Sequence, residues 1–114
     1  MIIYEQNKNT IVAKFSQEGK TTQKIWEDSL TDIAHKYLAG TGFFICIDTV
    51  KKVLKDRRLV GIAKCHPNDT FDLEEGKRIA REDLINRFNL AKTQLKKEIL
   101  YAVKHDVQFI KDRM

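Results

Sequence analysis

Proline and glycine are scarce in this chain, which has 1 proline and 5 glycines among 114 residues. Because collagen-like, linker and disordered sequences are rich in these residues, their scarcity argues against those classes. Apolar residues make up 42% of the chain and charged residues 32%, a balance typical of a folded domain. At about 100–200 residues per domain, the length predicts a single domain over residues 1–114.

The chain also lacks the marks of a membrane or secreted protein. No run approaches the about 20 apolar residues of a membrane span, and the first residues have neither the charged region nor the apolar core of a secretory signal. Its two cysteines, Cys46 and Cys65, are too few for a disulfide framework, and each lies in an apolar run. We therefore expect a soluble intracellular protein, with no membrane partner, whose reduced thiols lie in the core.

The sequence motifs of common enzymes are missing. There is no Gly-x-Ser-x-Gly, no Gly-x-x-x-x-Gly-Lys-Ser/Thr and no His-Glu-x-x-His. Cys65 and His66 are adjacent, so in a strand they point to opposite faces, and no second Cys/His pair lies at ligand spacing. The sequence therefore predicts no catalytic residues, no metal site and no cofactor.

Positive charge is what the chain has in excess, with 21 Lys and Arg against 16 Asp and Glu, a net charge of +5 and a pI near 9.2. This predicts an anionic partner: nucleic acid, a nucleotide or an acidic protein. The densest cluster sets six basic residues against the single acid Asp56: Lys51, Lys52, Lys55, Arg57, Arg58 and Lys64. A basic β-ribbon that contacts phosphates and a solvated edge strand protected from aggregation by lysines both remain open.

Apolar patterning predicts a β-hairpin and then a helix in the first 40 residues. Two apolar runs at residues 2–4 and 10–15 are separated by a polar turn containing two asparagines. Apolar residues then recur at helical spacing, which predicts a helix over residues 23–39. Thr22 is a candidate N-cap for this helix, and Gly40 is a candidate stop after it.

The middle of the chain permits two interpretations. Aromatic and β-branched residues are enriched in three runs: residues 42–47, 50–54 and 59–65. Their composition favours strands, the last two forming a hairpin through a turn at residues 55–58. Alternatively, Asp48 is the N-cap of a short helix over residues 49–55, which the spacing of the apolar residues there also allows. We favour the hairpin.

The chain after Pro67, which ends the preceding strand, predicts long helices. Asp72 and Glu75 have the spacing of a capping box, in which each side chain bonds the other residue's backbone N–H. An apolar stripe then holds helical spacing to the end: Ala80, Leu84, Phe88, Ala91, Leu95, Ile99, Val103, Val107 and Ile110. About nine turns is long for one globular helix, so we expect a break at residues 86–89, with one bent helix as the alternative.

These elements predict an α+β fold: an antiparallel β-sheet with an inserted N-terminal helix and two C-terminal helices. The apolar stripe is longer than one short sheet can cover, which predicts a homodimer or higher homo-oligomer. Gly76 lies in the first turns of a helix, where glycine is costly, so we expect a close approach there by a strand, a subunit or a ligand. Phe71, just before the cap, either packs on the helix or offers a stacking surface.

One stretch resembles a known family. It comprises Ala63-Lys64-Cys65-His66-Pro67-x-Asp69-x-Phe71-Asp72, then Gly76 and Ile79-Ala80, with Val53-Leu54-Lys55-Asp56-Arg57 upstream. Over roughly residues 50–85 the chain resembles small proteins of phages and prophages of low-GC Gram-positive hosts, and its layout looks like the first family of Thoeris anti-defence proteins. Members of that family bind and sequester cyclic ADP-ribose signals without cleaving them, in pockets between subunits, and some hold cyclic oligonucleotides at separate sites.

The resemblance implies a non-enzymatic protein that sequesters cyclic nucleotide immune signals in the cytoplasm of an infected bacterial cell. The local sequence, rather than an alignment with the family, suggests the ligand-binding residues. Phe71 would stack on the base, Arg78 and Arg81 would clamp phosphate, Asn89 would bond ribose or base, and Arg113 would reach across a dimer. Arg57 and Arg58 would form a second, more open anion site. Each of these residues also has a simpler interpretation as solvated surface.

The alternative function is a basic phage module that binds nucleic acid or inhibits a host protein. Non-specific nucleic-acid binding would use the positive charge of residues 51–64. However, aromatic residues that stack on bases are not interleaved with that segment. This makes nucleic acid the second hypothesis.

Overall fold

The computed structural model describes residues 1–40, 45–65 and 72–113. Its elements, in chain order, are β1 (Ile2–Asn7), β2 (Thr10–Phe15), α1 (Thr22–Leu38), α2 (Ile47–Leu54), β3 (Gly61–Lys64) and α3 (Leu73–Arg113). The strands form one antiparallel sheet in the order β1-β2-β3. The predicted α+β class with an antiparallel sheet and an inserted N-terminal helix is confirmed.

The N-terminal hairpin forms where the sequence predicts it. Its register runs from the pair Ile2 and Phe15 to the pair Asn7 and Thr10, and the turn places Lys8 at a positive φ of 56°. On the other side of β2, Val12 is opposite Ile62 of β3. The central strand β2 is therefore paired along both edges.

Helix α1 confirms the predicted helix and corrects its cap. The side-chain oxygen of Thr21 accepts a hydrogen bond of 3.1 Å from the backbone N–H of Lys24, so Thr21 is the N-cap. Thr22, the predicted cap, is the first residue of the helix. At the other end Gly40 has a φ of +80°, the left-handed conformation that ends many helices.

The predicted strand over residues 50–54 is wrong, because this segment belongs to α2. Val50, Val53 and Leu54 are buried on one face of that helix. Helical spacing of these three residues therefore outweighed their β-propensity, and the alternative interpretation is correct. Residue Cys46 lies at the N-cap, while Asp48 lies in the first turn. Of the predicted strand over residues 42–47, positions 42–44 lie outside the described residues, and the described part is not a strand, since α2 begins at Ile47.

The prediction of buried thiols is also wrong. Cys46 is exposed and Cys65 is half-buried, and neither is in a disulfide. Cys46 precedes α2 instead of lying within a core strand, so its side chain is outside the buried face of that helix. Cys65 follows the last residue of β3.

Helix α3 runs unbroken from Leu73 to Arg113, so the expected break at residues 86–89 and the second C-terminal helix are wrong. Phe88 lies at the centre of the expected break. Its ring packs edge-to-face on Phe15 and Trp26, with centroid distances of 5.7 and 5.1 Å. These aromatic contacts stabilise the helix in the segment that contains Asn86 and Asn89, two residues that disfavour a helix only weakly.

Close packing joins α3 to the sheet. A Cβ atom on Gly76 would lie 2.5 Å from Cδ1 of Ile11 on β2, and one on Gly61 would overlap the carbonyl oxygen of Ala80. The expected close approach at Gly76 is thus made by a strand. At the start of α3, Asp72 Oδ1 accepts hydrogen bonds from the backbone N–H groups of Glu74 and Glu75, which confirms the Asp72 half of the predicted capping box. The Glu75 carboxylate, predicted to bond the backbone of Asp72, accepts hydrogen bonds from Arg78.

The chain divides into two compact units. The first comprises Met1–Trp26 and Asp56–Leu90, and the second Glu27–Lys55 and Ala91–Met114. The buried side chains of the first unit come from the sheet, α1 and α3: Ile11, Ala13, Trp26, Ala63, Ala80 and Leu84. Those of the second come from all three helices: Leu30, Ala34, Leu38, Val50, Val53, Leu54, Ala91, Leu95 and Ile99.

Candidate anion-binding site

Three arginines surround one cavity in the first unit. The cavity has a volume of about 200 Å³ and is lined by Asp56, Arg57, Arg58, Arg87 and Leu90. We call it the arginine cavity. Guanidinium groups stay charged at any physiological pH and donate hydrogen bonds in a planar fork that matches phosphate and carboxylate oxygens.

The cavity is built from a short loop and one helix. Asp56, Arg57 and Arg58 lie between α2 and β3, and Asp56 has a positive φ of 63°, which Asp tolerates better than most residues. Arg87 and Leu90 lie three residues apart on α3, and this spacing places them on the same side of the helix. Residues 30 positions apart in sequence thus line one cavity.

Asp83 joins two of these arginines to the sheet. Its Oδ2 accepts a hydrogen bond of 3.0 Å from Nη2 of Arg58 and one of 3.2 Å from Nε of Arg87. The same oxygen accepts a 2.9 Å bond from the backbone N–H of Ile62. This N–H belongs to an edge strand, so the carboxylate also covers part of the open edge of β3.

The surroundings of Asp83 keep it ionised. Partial burial acts to raise the pKa of its carboxyl group, but the hydrogen bonds from Ile62 and Arg87, together with the charges of Arg87 and Arg58, outweigh that effect. The pKa of Asp83 therefore lies below its usual value. At neutral pH the carboxylate forms ion pairs with both guanidinium groups.

The arginine cavity retains positive charge and donors after these ion pairs. Each guanidinium carries five N–H groups, and the bonds to Asp83 use one nitrogen of Arg58 and one of Arg87. Three arginines against the two acids Asp56 and Asp83 leave an excess of positive charge. An anion in the cavity therefore meets several charged donors together with one carboxylate, that of Asp56, able to accept a hydrogen bond from a hydroxyl or amino group.

Of the residues predicted to bind a ligand, the structure brings Arg57 and Arg58 together at this cavity. Arg78 lies elsewhere on α3, between Glu75 and Glu82, whose carboxylates accept its hydrogen bonds. The bond from Arg78 lowers the pKa of Glu75, and the pKa of Arg78 is raised by that hydrogen bond and by both carboxylates. Arg78 is thus engaged by two acids on its own helix.

The other predicted ligand-binding residues are not gathered at the cavity lining. Arg81 and Asn89 are exposed on α3. Arg113 is the last residue of α3 and belongs to the second unit, and its side chain lies outside the described residues. Phe71 lies outside them too, so its predicted stacking role stays a prediction.

The basic hairpin expected over residues 51–64 is wrong. Lys51 and Lys52 lie on α2, and Lys52 forms an ion pair of 3.8 Å with Glu98. These lysines belong to the second unit, whereas Arg57 and Arg58 belong to the first. The residues that looked like one β-ribbon in the sequence are therefore divided between a helix, a loop and a short strand.

Sequence reasoning missed Arg87, Asp83 and Leu90. The spacing of Asp83 and Arg87, four residues apart on a helix, was a detectable signal of an ion pair. The contact of Asp83 with Arg58 joins positions 25 residues apart, and no local pattern indicates it. The cavity thus required the three-dimensional fold to be found.

Among the side chains that the structure describes, those of residues 1–40, 45–65, 72–101 and 103–104, no group of three His, Cys, Asp or Glu is placed to hold a metal ion. None of the helices in those ranges has the length and apolarity that crossing a membrane requires. Comparison with protein-family models, curated proteins and solved structures finds no match to this chain. A function is therefore inferred from the chemistry of the arginine cavity and from the sequence resemblance.

Proposed function

We propose that this protein binds a small phosphate-bearing cyclic nucleotide, of the cyclic ADP-ribose class, at the arginine cavity and holds it without chemical change. The observation that carries the proposal is the convergence of Arg57, Arg58 and Arg87 on one cavity. The protein would act as a sponge that lowers the free concentration of an immune signal in the cytoplasm of an infected bacterial cell. The sequence resemblance supplies this biological context.

The phosphates of such a ligand match the donors of the cavity. Cyclic ADP-ribose carries a pyrophosphate, and arginine forms paired, charge-assisted hydrogen bonds with phosphate oxygens. The ribose hydroxyls of the same molecule can donate hydrogen bonds to the Asp56 carboxylate. Leu90, which is 62% exposed, offers an apolar surface against which a base can pack.

The size of the cavity supports a second subunit in the complex. Pockets for drug-sized ligands usually have volumes of roughly 300–1,000 Å³, whereas the arginine cavity has about 200 Å³. It therefore suits the phosphates and leaves the rest of a nucleotide to be covered from elsewhere. We propose that a second copy of the chain covers it in a homodimer or higher homo-oligomer, and light scattering of the protein with and without ligand tests this assembly.

Calorimetric titration with cyclic ADP-ribose isomers and cyclic oligonucleotides tests the proposal. We expect the wild-type protein to bind one of these molecules. Replacing Arg58 or Arg87 by alanine should weaken binding about 10-fold or more, because each change removes hydrogen bonds between charged groups. Arg57→Ala should weaken it in the same direction.

Arg78→Ala is the matched control, because it removes the same charge from an exposed arginine on α3 that two glutamates already engage. We expect its affinity for the ligand to stay within about threefold of the wild type. Equal losses for Arg78→Ala and Arg87→Ala would mean that general positive charge, and not the arginine cavity, attracts the ligand. Absence of binding to every cyclic nucleotide would refute the proposed function.

Single-stranded nucleic acid belongs in the same titration, because it is the ligand of the alternative function. The basic residues on which that alternative depended are divided between a helix, a loop and a short strand and do not form a β-ribbon. Binding of nucleic acid that falls steeply with salt, without binding of cyclic nucleotides, would replace the present proposal with the alternative.

A further inference from the structure

An acidic residue contacts the arginines of the arginine cavity in the first unit. A carboxylate beside an anion site weakens the attraction of the anion, so electrostatics alone disfavours one there. Yet Asp83 forms ion pairs with Arg58 and Arg87, two of the three arginines that line the cavity. A favourable contribution of Asp83 to the site must therefore come from the way it holds these two guanidinium groups.

We infer that Asp83 is a positioning residue of the proposed anion site, and that it holds Arg58 and Arg87 in the orientation in which they bind phosphate. This inference rests on the proposed function. Arg58 and Arg87 donate to the same oxygen, Oδ2, at 3.0 and 3.2 Å. One carboxylate oxygen is thus the common anchor of two guanidinium groups that come from a loop and a helix.

The anchor is itself fixed by the backbone. The N–H of Ile62 donates to Oδ2 at 2.9 Å, which ties the carboxylate to β3. Asp83 is only half-exposed, with 29% of its side-chain surface accessible. Because of the backbone hydrogen bond and the partial burial, the Asp83 carboxylate has fewer accessible rotamers than an acidic side chain surrounded by solvent.

Fixing the arginines before the ligand arrives favours binding. An arginine side chain has many rotamers, and immobilising it on binding costs conformational entropy. If the side chain is already held in one rotamer in the unbound protein, ligand binding does not incur this loss. The bond to Nε of Arg87 leaves both its terminal nitrogens for a ligand, and the bond to Nη2 of Arg58 leaves its Nη1 and Nε. Asp83 therefore orients the guanidinium groups without using all their donors.

Asp83→Asn separates this role from simple electrostatics, because the two predict changes of opposite sign. The substitution removes a negative charge beside the cavity, so electrostatics alone predicts tighter binding of an anion. Loss of the ionic anchor predicts weaker binding. The amide oxygen of asparagine can still accept from Ile62, which preserves the contact with the strand.

The experiment is calorimetric titration with inorganic pyrophosphate of the wild type, Asp83→Asn and the control Glu82→Gln. Glu82 is exposed, neighbours Asp83 on α3 and bonds Arg78, so its substitution makes the same change of charge away from the cavity. We expect Asp83→Asn to bind pyrophosphate about 10-fold more weakly and Glu82→Gln to bind within about threefold of the wild type. Asp83→Asn binding as tightly as the wild type, or more tightly, overturns the inference.

A double-mutant cycle distinguishes positioning from a general loss of structure. In an Arg58→Ala background, we expect Asp83→Asn to weaken pyrophosphate binding by less than about threefold, because one of the two side chains that it positions is gone. A general loss of structure predicts the same loss in both backgrounds. If wild-type protein binds neither pyrophosphate nor cyclic nucleotides, the proposed function fails together with this inference. If the wild type binds and the sign of the Asp83→Asn effect is reversed, only the inference fails.

A measurement on the wild-type protein covers the case in which Asp83→Asn does not fold. In nuclear magnetic resonance spectra without ligand, the Nε–H of Arg87 should exchange with solvent at least about 10-fold more slowly than that of Arg81, which is exposed on the same helix. Equal exchange rates would show that Arg87 is not held before the ligand binds, and the inference would then be wrong.

Discussion

At the scale of single residues, the Asp83 carboxylate makes two kinds of contact. It forms ion pairs with Arg58 and Arg87, and it accepts the outward backbone N–H of Ile62 on β3. The first contacts join the two arginines at one oxygen, while the second contributes to the stability of the sheet edge. The ion pairs require the ionised carboxylate, and protonation would weaken the hydrogen bond from the backbone as well, because a charged acceptor bonds more strongly than a neutral one.

We expect the stability contribution of Asp83 to disappear in acid. The pKa of Asp83 is lowered in the folded protein, so the unfolded chain takes up its proton first, at the usual value of 3.8. The contribution is therefore complete above that pH and is lost as the pH falls through the lower folded value. Urea denaturation should show Asp83→Asn less stable than the wild type by about 1.5 kcal/mol at pH 7.

The dependence of this stability difference on pH in the acid range tests the prediction most directly. As the pH falls below 3.8 and through the lower pKa of the folded state, the difference in free energy of unfolding between the wild type and Asp83→Asn should narrow, because the wild-type carboxyl group loses its charge as well. A difference that stays constant from pH 7 to acid would mean that the ion pairs at Asp83 add nothing to stability.

At the scale of elements, two glycines set how closely α3 approaches the sheet. A methyl group on Gly61 of β3 would overlap the backbone carbonyl of Ala80 and crowd Leu84, and neither can move without shifting α3. A methyl group on Gly76 of α3 would meet only Cδ1 of Ile11, the flexible end of a side chain. The two positions therefore differ in how they tolerate the same substitution.

We expect Gly61→Ala to destabilise the protein by about 1–3 kcal/mol, as overpacking does. Gly76→Ala should change stability by less than about 1 kcal/mol, because the gain in helix propensity offsets the displacement of Ile11. Urea denaturation of both variants measures the difference. Equal effects of the two substitutions would contradict the packing of α3 against β3 described above.

The elements also show how far sequence patterns predict this fold. The hairpin and α1 were predictable because their apolar spacing is local and their turn and cap residues are distinct. The segment of α2 was not, since Val50, Val53 and Leu54 suit a strand by composition and a helix by spacing. The continuity of α3 depended on Phe88 packing against Trp26, a contact between residues 62 positions apart in sequence.

At the scale of the whole molecule, the candidate site could likewise be predicted from the sequence only where its residues are close together along the chain. Arg57 and Arg58 could be predicted as part of a candidate anion site because charge clusters are visible in sequence. Arg87 was not, because it reaches the cavity only through the packing of α3 on the sheet. The contacts of Asp83 with Arg58 and with the backbone of Ile62 depend on the same packing. The net charge of +5 favours an anionic ligand, whereas the fold places three of the arginines at one cavity.

The proposed function requires this protein to bind a cyclic nucleotide and to release it unchanged. The most direct measurement is to saturate the purified protein with cyclic ADP-ribose isomers, remove unbound ligand, release the bound molecule by heat and determine its mass. We predict that the ligand is retained and then recovered intact, and that Arg87→Ala retains far less of it. Recovery of a hydrolysed product would mean that the protein is an enzyme, and retention of no cyclic nucleotide would contradict the account.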